Sequence, residues 1–279
     1  MNRKIENMIQ GFNTEDGAGV KLVRVLGNTT VDIYDPLLML DSFDSYDPND
    51  YIKGFPDHPH RGIETISYIY RGAMTHEDNM GNKDTITDGE VQWMTAGSGI
   101  IHAESLPPSE RMLGVQLWLN LPAKDKMTSP KYKAIKNEEI EEIDIEGGML
   151  RLLAGNYKDH SGYQGEYLPL DYYDIHIKEN DTVNIETEYN RSITLFTLIG
   201  DIEVDGEKVN EKTAVKLSEG DNEEIKSLSD LSQELLISSI KLDEDVYWGG
   251  PIVMNTEEDL RQAFWDLRTG DFIKERVDY

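Results

Sequence analysis

The chain of 279 residues contains no cysteine. That absence excludes a disulfide framework, a thiolate metal site and a cysteine nucleophile, and it suits a reducing compartment such as the cytoplasm. Positive charge is the second scarcity: 27 Lys and Arg stand against 54 Asp and Glu, a formal charge of −27. Such a balance repels phosphate backbones and anionic lipid, so neither a nucleic acid nor a membrane is expected as a direct partner. The excess is uneven, with 11 basic and 19 acidic residues up to Pro130 and 16 and 35 from Lys131 onward. No apolar run approaches the roughly 18 residues of a membrane helix, and the opening MNRKIENMIQGFNTEDG lacks the apolar core of a signal peptide. The expectation is a cytoplasmic protein.

Long helical patterns are also scarce. The best is TEEDLRQAFWDLRTG, where Asn255 and Thr256 can cap, Glu257, Glu258 and Asp259 favour the first turn, and Gly270 is a stop. What recurs instead is short apolar or alternating runs cut by Gly, Asp and Asn, such as ISYIYRG, VQWMTAG, GVQLWLNLP, YYDIHIKEN and SITLFTLIG. These predict an all-β chain of barrels or sandwiches with a short C-terminal helix. Polar AKDKMTSPKYKAIKNEEIEEIDIEGG suggests a boundary after LNLP, giving domains 1–125 and 126–279. LIGDIEVDGEKVN echoes YIYRGAMTHEDNMGNKD as strand, glycine turn, strand, a weak internal repeat.

Three of the six histidines fall in two short motifs. In GFPDHPHRGIETISY, His58 and His60 are two apart, so on an extended strand they share a face and can converge on one ion. In GSGIIHAES, His102 and Glu104 repeat that spacing. Three imidazoles and a carboxylate make an open nitrogen and oxygen site for a divalent ion, with room for water, substrate or dioxygen. Without sulfur, iron(II), manganese, cobalt, nickel, copper and zinc all suit it.

The stretch GFPDHPHRGIETISYIYRG followed by DGEVQWMTAGSGIIHAE resembles the pirin family of bicupin proteins, and the likeness continues through GVQLWLNLP and returns in GGPIVMNTEEDLRQAFWD. The resemblance implies two facing β-barrels of the cupin type, double-stranded β-helix jelly rolls, with the metal in the N-terminal one. It assigns the metal to residues matching His58, His60, His102 and Glu104. The cofactor it implies is one divalent transition metal, iron(II) first. The broader cupin pattern would place the carboxylate ligand at Glu64, but pirins use the glutamate of the second motif, so Glu64 is read as a supporting carboxylate. The second barrel offers His176 without a partner two residues away, and is expected to be metal-free.

The same resemblance implies a metal-dependent dioxygenase that opens a flavonol such as quercetin with release of carbon monoxide, taking a small planar aromatic substrate and O2. Glu104 would be both ligand and general base for the substrate hydroxyl. A second role is implied as well, that of a metal- or redox-dependent regulator that binds a protein partner without turnover. Phe55, Met74 and Gln116 are candidate substrate contacts, although Phe55 and Met74 equally suit core packing and Gln116 equally suits a water-facing position. Trp93, Met94 and Trp118 read as core. His76 in THEDN and His160 in NYKDHSGYQGEY read as solvated loop histidines.

Overall fold

Residues rich in Val, Ile, Leu and Tyr, interrupted every few positions by turn formers, give extended chain that can bury one face only by pairing with further strands. A computed structural model of the protein describes residues 1–275 and is built almost wholly of antiparallel strands. Among the described residues there are two α-helices, Val31–Tyr34 and Glu257–Thr269, and neither is long and apolar enough to cross a membrane. Thr256 caps the second, its hydroxyl accepting from the Asp259 amide at 3.0 Å, and Gly270 ends it at φ +82°. Asn255 does not cap: its side-chain amide donates to Glu244 and to the Asp245 carbonyl.

The chain forms two units. One comprises Asn13–Arg24, Leu37–Lys136 and the chain from Leu242 on; the other comprises Met1–Phe12, Val25–Pro36 and Asn137–Lys241. Each is a pair of antiparallel sheets of seven and four strands, the cupin jelly roll. In the first, the order is Lys131–Ile135, Glu90–Thr95, Ile63–Arg71, Met112–Asn120, Leu37–Ser45, Val20–Leu26, Phe12–Asp16, with the small sheet ordered Phe55–His60, Ile100–Ser105, Met74–Asp78, Lys83–Ile86. The second unit has the same spatial order, except that its matching edge strand, Ile5–Gln10, comes from the start of the chain and not from after the other strands. The echo between YIYRGAMTHED and LIGDIEV is structural: Ile63–Arg71 and Ser192–Ile199 each leave the large sheet and enter the small one as Met74–Asp78 and Ile202–Val204.

The division 1–125 and 126–279 is not the one the contacts make. Lys131–Ile135 forms the edge of the first unit's large sheet, Tyr132 facing Met94, so the polar stretch that suggested a boundary is partly strand. The opposite end of the chain behaves similarly: Ile5–Gln10 pairs with Thr213–Leu217, Met8 facing Val215, and completes the second unit. Arg3 anchors it, its buried guanidinium donating to Thr187 Oγ1 and to the carbonyls of Glu188 and Ser218. The C-terminal segment belongs to the first unit because Arg61, 2% exposed, donates to Asp266 at 2.9 Å and to the Phe272 carbonyl at 2.8 Å. Leaving a buried charge such as Arg3 or Arg61 without its partners would cost several kcal/mol, and these contacts supply them.

The core of the second unit runs through its small sheet. There Val183, Ile185 and Ile225, on the paired strands Thr182–Glu186 and Asn222–Ser227, are fully buried in an apolar cluster with Leu195, Val215 and Leu236. Those two strands occupy the topological positions that Phe55–His60 and Ile100–Ser105 hold in the first unit.

Candidate metal centre

Two glycines bracket the strand Phe55–His60. Gly54 has φ +61°, and a Cβ there would lie 2.4 Å from the Glu104 carbonyl; Gly62 has φ +78°, and a Cβ there would lie 2.0 Å from the Val253 carbonyl. Only glycine permits both the left-handed backbone and the close approach. Between them the pleat puts His58 and His60 on one face, and antiparallel pairing brings His102 directly opposite His58. The ring centroids stand 4.8 Å (His58–His60), 4.3 Å (His58–His102) and 5.1 Å (His60–His102) apart. One nitrogen from each ring lies within 4.8 Å of the others, a group that could hold a metal ion.

The hydrogen bonds select which nitrogens face inward. His58 Nδ1 donates to the Pro56 carbonyl at 2.8 Å and His60 Nδ1 to the Pro251 carbonyl at 3.1 Å. His102 Nδ1 lies 3.2 Å from His76 Nδ1, and His102 Nε2 is buried without a hydrogen-bond partner. A buried imidazole nitrogen with nothing to bond is costly in a folded chain, and a cation would supply what it lacks. Burial, reinforced by the neighbouring His58, pushes the His60 pKa down to about 3; burial and the facing His60, His58 and His76 hold His102 well below the usual histidine range. Both are therefore neutral at pH 7, the form that ligates. Trp118 stands edge-on to His60 at 4.9 Å.

Glu104 is 2% exposed and follows His102 on the same face, but it is not one of the group whose donor atoms all lie within 4.8 Å. Its carboxylate is held from the large sheet instead. Gln92 Nε2 donates to Oε1 at 2.6 Å, and Gln116 Nε2 donates to Oε1 and Oε2 at 3.1 and 2.9 Å. Gln92, Ser67 and Gln116 are register partners on three adjacent strands, so this polar row follows from sheet register. Gln116 thus neither faces water nor points free into a pocket: its amide nitrogen serves Glu104, and its oxygen accepts from Trp118 Nε1 at 3.3 Å. Met74 is fully buried in the apolar cluster around Phe43, Ile69 and Leu106, its sulfur 3.2 Å from Gln92 Nε2. Phe55 is half-buried, 6.5 Å from His58 and edge-on to Phe43. Glu64 is buried and accepts from Thr95 Oγ1 at 2.6 Å. Trp93, Met94 and Trp118 are buried, as expected.

Two histidine readings are corrected. His76 is not a solvated loop residue: it lies on the strand Met74–Asp78, is fully buried, stacks on Tyr132 at 4.2 Å and 12°, and contacts both His102 and Asp78. The sequence did carry a signal, since His76 and Asp78 repeat the two-residue spacing of the other motifs. His160 sits in the short strand His160–Ser161, its ring bonded to Glu141 Oε1 at 2.8 Å. His176, read as lacking a partner two residues away, has one in Asp174 at 2.9 Å, but on the large sheet, away from the strands that match those bearing His58 and His102.

Comparison with known proteins places these features in context. The family model Pirin matches residues 19–119, and the Pirin C-terminal cupin domain matches residues 172–273. A Pirin-like protein of Caulobacter vibrioides is 37% identical over 275 residues, covering 97% of this chain and 99% of its own. Pirin of Homo sapiens is 33% identical over 273 residues, covering 95% and 92%. Among solved structures, a quercetin 2,3-dioxygenase from Acinetobacter baumannii matches with a TM-score of 0.88 at 30% identity, over 98% of this chain and 99% of that one.

Proposed function

The chain belongs to the pirin family, and from that premise we propose that it is a metal-dependent dioxygenase that opens a flavonol of the quercetin class. The observation that carries the reading is the convergence of His58, His60 and His102 with each Nδ1 engaged elsewhere and the His102 Nε2 buried and unpaired. His58, His60 and His102 would hold one divalent transition ion through Nε2, with Glu104 the candidate fourth ligand. The nitrogen and oxygen donor set without sulfur suits several divalent transition ions, of which the family resemblance puts iron(II) first. When bound, the ion supplies a Lewis acid that lowers the pKa of a coordinated hydroxyl.

The chain's own groups account for orientation and proton handling. Glu104, two residues from His102 and on the same face, accepts the proton of the flavonol hydroxyl. Gln92 and Gln116 hold its carboxylate in place through three N–H···O contacts, so the base is aimed before substrate arrives. Half-buried Phe55 beside His58 offers an apolar edge against which a planar ring can pack. The overall conversion is balanced: both atoms of dioxygen enter the ring-opened ester, one ring carbon leaves as carbon monoxide, and the proton taken by Glu104 returns to the carboxylic acid product.

The test pairs elemental analysis with oxygen uptake on quercetin after reconstitution with iron(II), manganese, cobalt, nickel and copper. One ion per chain, quercetin consumption with carbon monoxide release, and loss of both in His58→Ala support the proposal. One ion per chain with no oxygen uptake under any metal refutes the dioxygenase reading and leaves the regulatory one.

A further inference from the structure

We propose that His76, backed by Asp78, is a positioning residue that fixes the tautomer of His102 and so presents a bare Nε2 to the metal; the inference rests on the reading that the three-histidine group holds an ion. The His102–His76–Asp78 line of contacts is buried. Asp78 Oδ1 accepts from the backbone amides of Met80 and Asn82 at 2.9 and 3.0 Å, and Oδ2 accepts from Asn82 Nδ2 at 2.9 Å. His76 Nε2 meets the same Oδ2 at 2.8 Å, and His76 Nδ1 meets His102 Nδ1 at 3.2 Å.

Proton bookkeeping along this line leaves one arrangement. A carboxylate surrounded by donors can only accept, so His76 Nε2 carries a hydrogen and donates. In the neutral ring His76 Nδ1 is then a lone pair, and two facing nitrogens need one hydrogen between them, which must come from His102 Nδ1. His102 Nε2 is consequently bare. The opposite arrangement, with the hydrogen on His102 Nε2, would take the shared hydrogen from His76 Nδ1 and leave a His76 Nε2 lone pair facing the Asp78 carboxylate at 2.8 Å. Tyr132, stacked on His76, prevents the ring from turning out of line. His58 and His60 obtain the same result from the carbonyls of Pro56 and Pro251, whereas His102 alone of the three obtains it from side chains. Outer partners of this kind raise ligand basicity, and their loss typically costs 10- to 100-fold in metal affinity.

Two measurements on the full chain test the proposal. In metal-free protein with 15N-labelled histidine, long-range 1H–15N spectra distinguish the two tautomers. Wild type is expected to show His102 protonated at Nδ1, while Asp78→Asn, whose amide can donate to His76 Nε2 and reverse the line, shifts it toward Nε2–H. Cobalt(II) affinity, measured against a competing chelator, is expected to fall about 10- to 100-fold in His76→Leu. It should largely recover in His76→Asn, whose Oδ1 stands where Nδ1 stood. A purely structural role would not be rescued by that smaller polar residue and would not move a tautomer. Nε2–H at His102 in wild type, or equal cobalt affinity in His76→Leu and wild type, overturns the proposal. Failure of wild type to bind cobalt instead overturns the metal reading, and the metal-free tautomer still decides this one; should His76→Leu not fold, Asp78→Asn carries both measurements.

Discussion

Arg61 is the next residue after the second histidine of the strand Phe55–His60, and Arg61→Met isolates what the C-terminal segment contributes. The guanidinium is 2% exposed and makes three charge-assisted bonds: to the Ser98 carbonyl at 2.7 Å, the Asp266 carboxylate at 2.9 Å and the Phe272 carbonyl at 2.8 Å. It also stacks 4.3 Å from the Phe272 ring. Removing one partner of a buried ion pair costs about 3–5 kcal/mol, mostly because the other is stranded. Here Asp266 keeps Lys274 at 2.9 Å and Gln262 at 2.8 Å, and methionine refills much of the volume, which puts the loss near the lower end, about 3 kcal/mol. For a unit of this size that corresponds to roughly 6–12 °C in Tm. All four tryptophans, Trp93, Trp118, Trp248 and Trp265, belong to the same unit, so selectively excited tryptophan fluorescence during urea unfolding reports this unit. The Pro251 carbonyl that orients His60 lies on the segment Arg61 holds, so cobalt affinity should fall as well. A change below about 1 kcal/mol, in the range of an exposed ion pair, would refute the reasoning.

Glu104→Gln should lower turnover on quercetin by about 100-fold or more while metal content stays near one ion per chain, because removing a general base costs 10²–10⁴ in rate; full activity would remove the base assignment. His60 has a folded pKa of about 3 against an ordinary 6.5, so below 6.5 the unfolded chain binds a proton that the folded chain refuses. Its contribution is therefore present above pH 6.5 and lost as pH falls toward 3, and metal-free His60→Gln should show a flatter decline of Tm across that window than wild type. Gly62→Ala combines a positive φ with a Cβ 2.0 Å from the Val253 carbonyl, whereas Gly250→Ala at φ +54° meets nothing within 4 Å. The second should cost about 1 kcal/mol and the first clearly more, by urea midpoint; equal costs would show that the Val253 approach is not limiting.

The candidate site was legible where chemistry and period coincide. His58 and His60 at strand spacing announce a shared face, and the H-x-E of His102 and Glu104 repeats it, because a pleat needs only local chain to set direction. The buried His76 was misread because THEDN, with its acids and an Asn two residues before Gly81, looks like a turn. Its burial comes from pairing between Met74–Asp78 and Ile100–Ser105, and from Tyr132 on an edge strand. Likewise Gln116 could face either way from sequence; only the register that aligns it with Ser67 and Gln92 aims its amide at Glu104.

By itself the sequence determined the strand-rich class, the capped C-terminal helix, the family resemblance and the two motifs that supply the histidines, since each rests on side-chain type and spacing within a few residues. Tertiary structure decided which segments complete which unit, because Ile5–Gln10 and the chain after Leu242 find their partners some 200 residues away in the chain. It also decided the state of each candidate ligand. The proton on a histidine is assigned by whatever meets its other nitrogen, and for His60 and His102 those groups, the Pro251 carbonyl and His76, come from elsewhere in the chain. A two-residue spacing can place an imidazole, but only the packed neighbours can aim its lone pair.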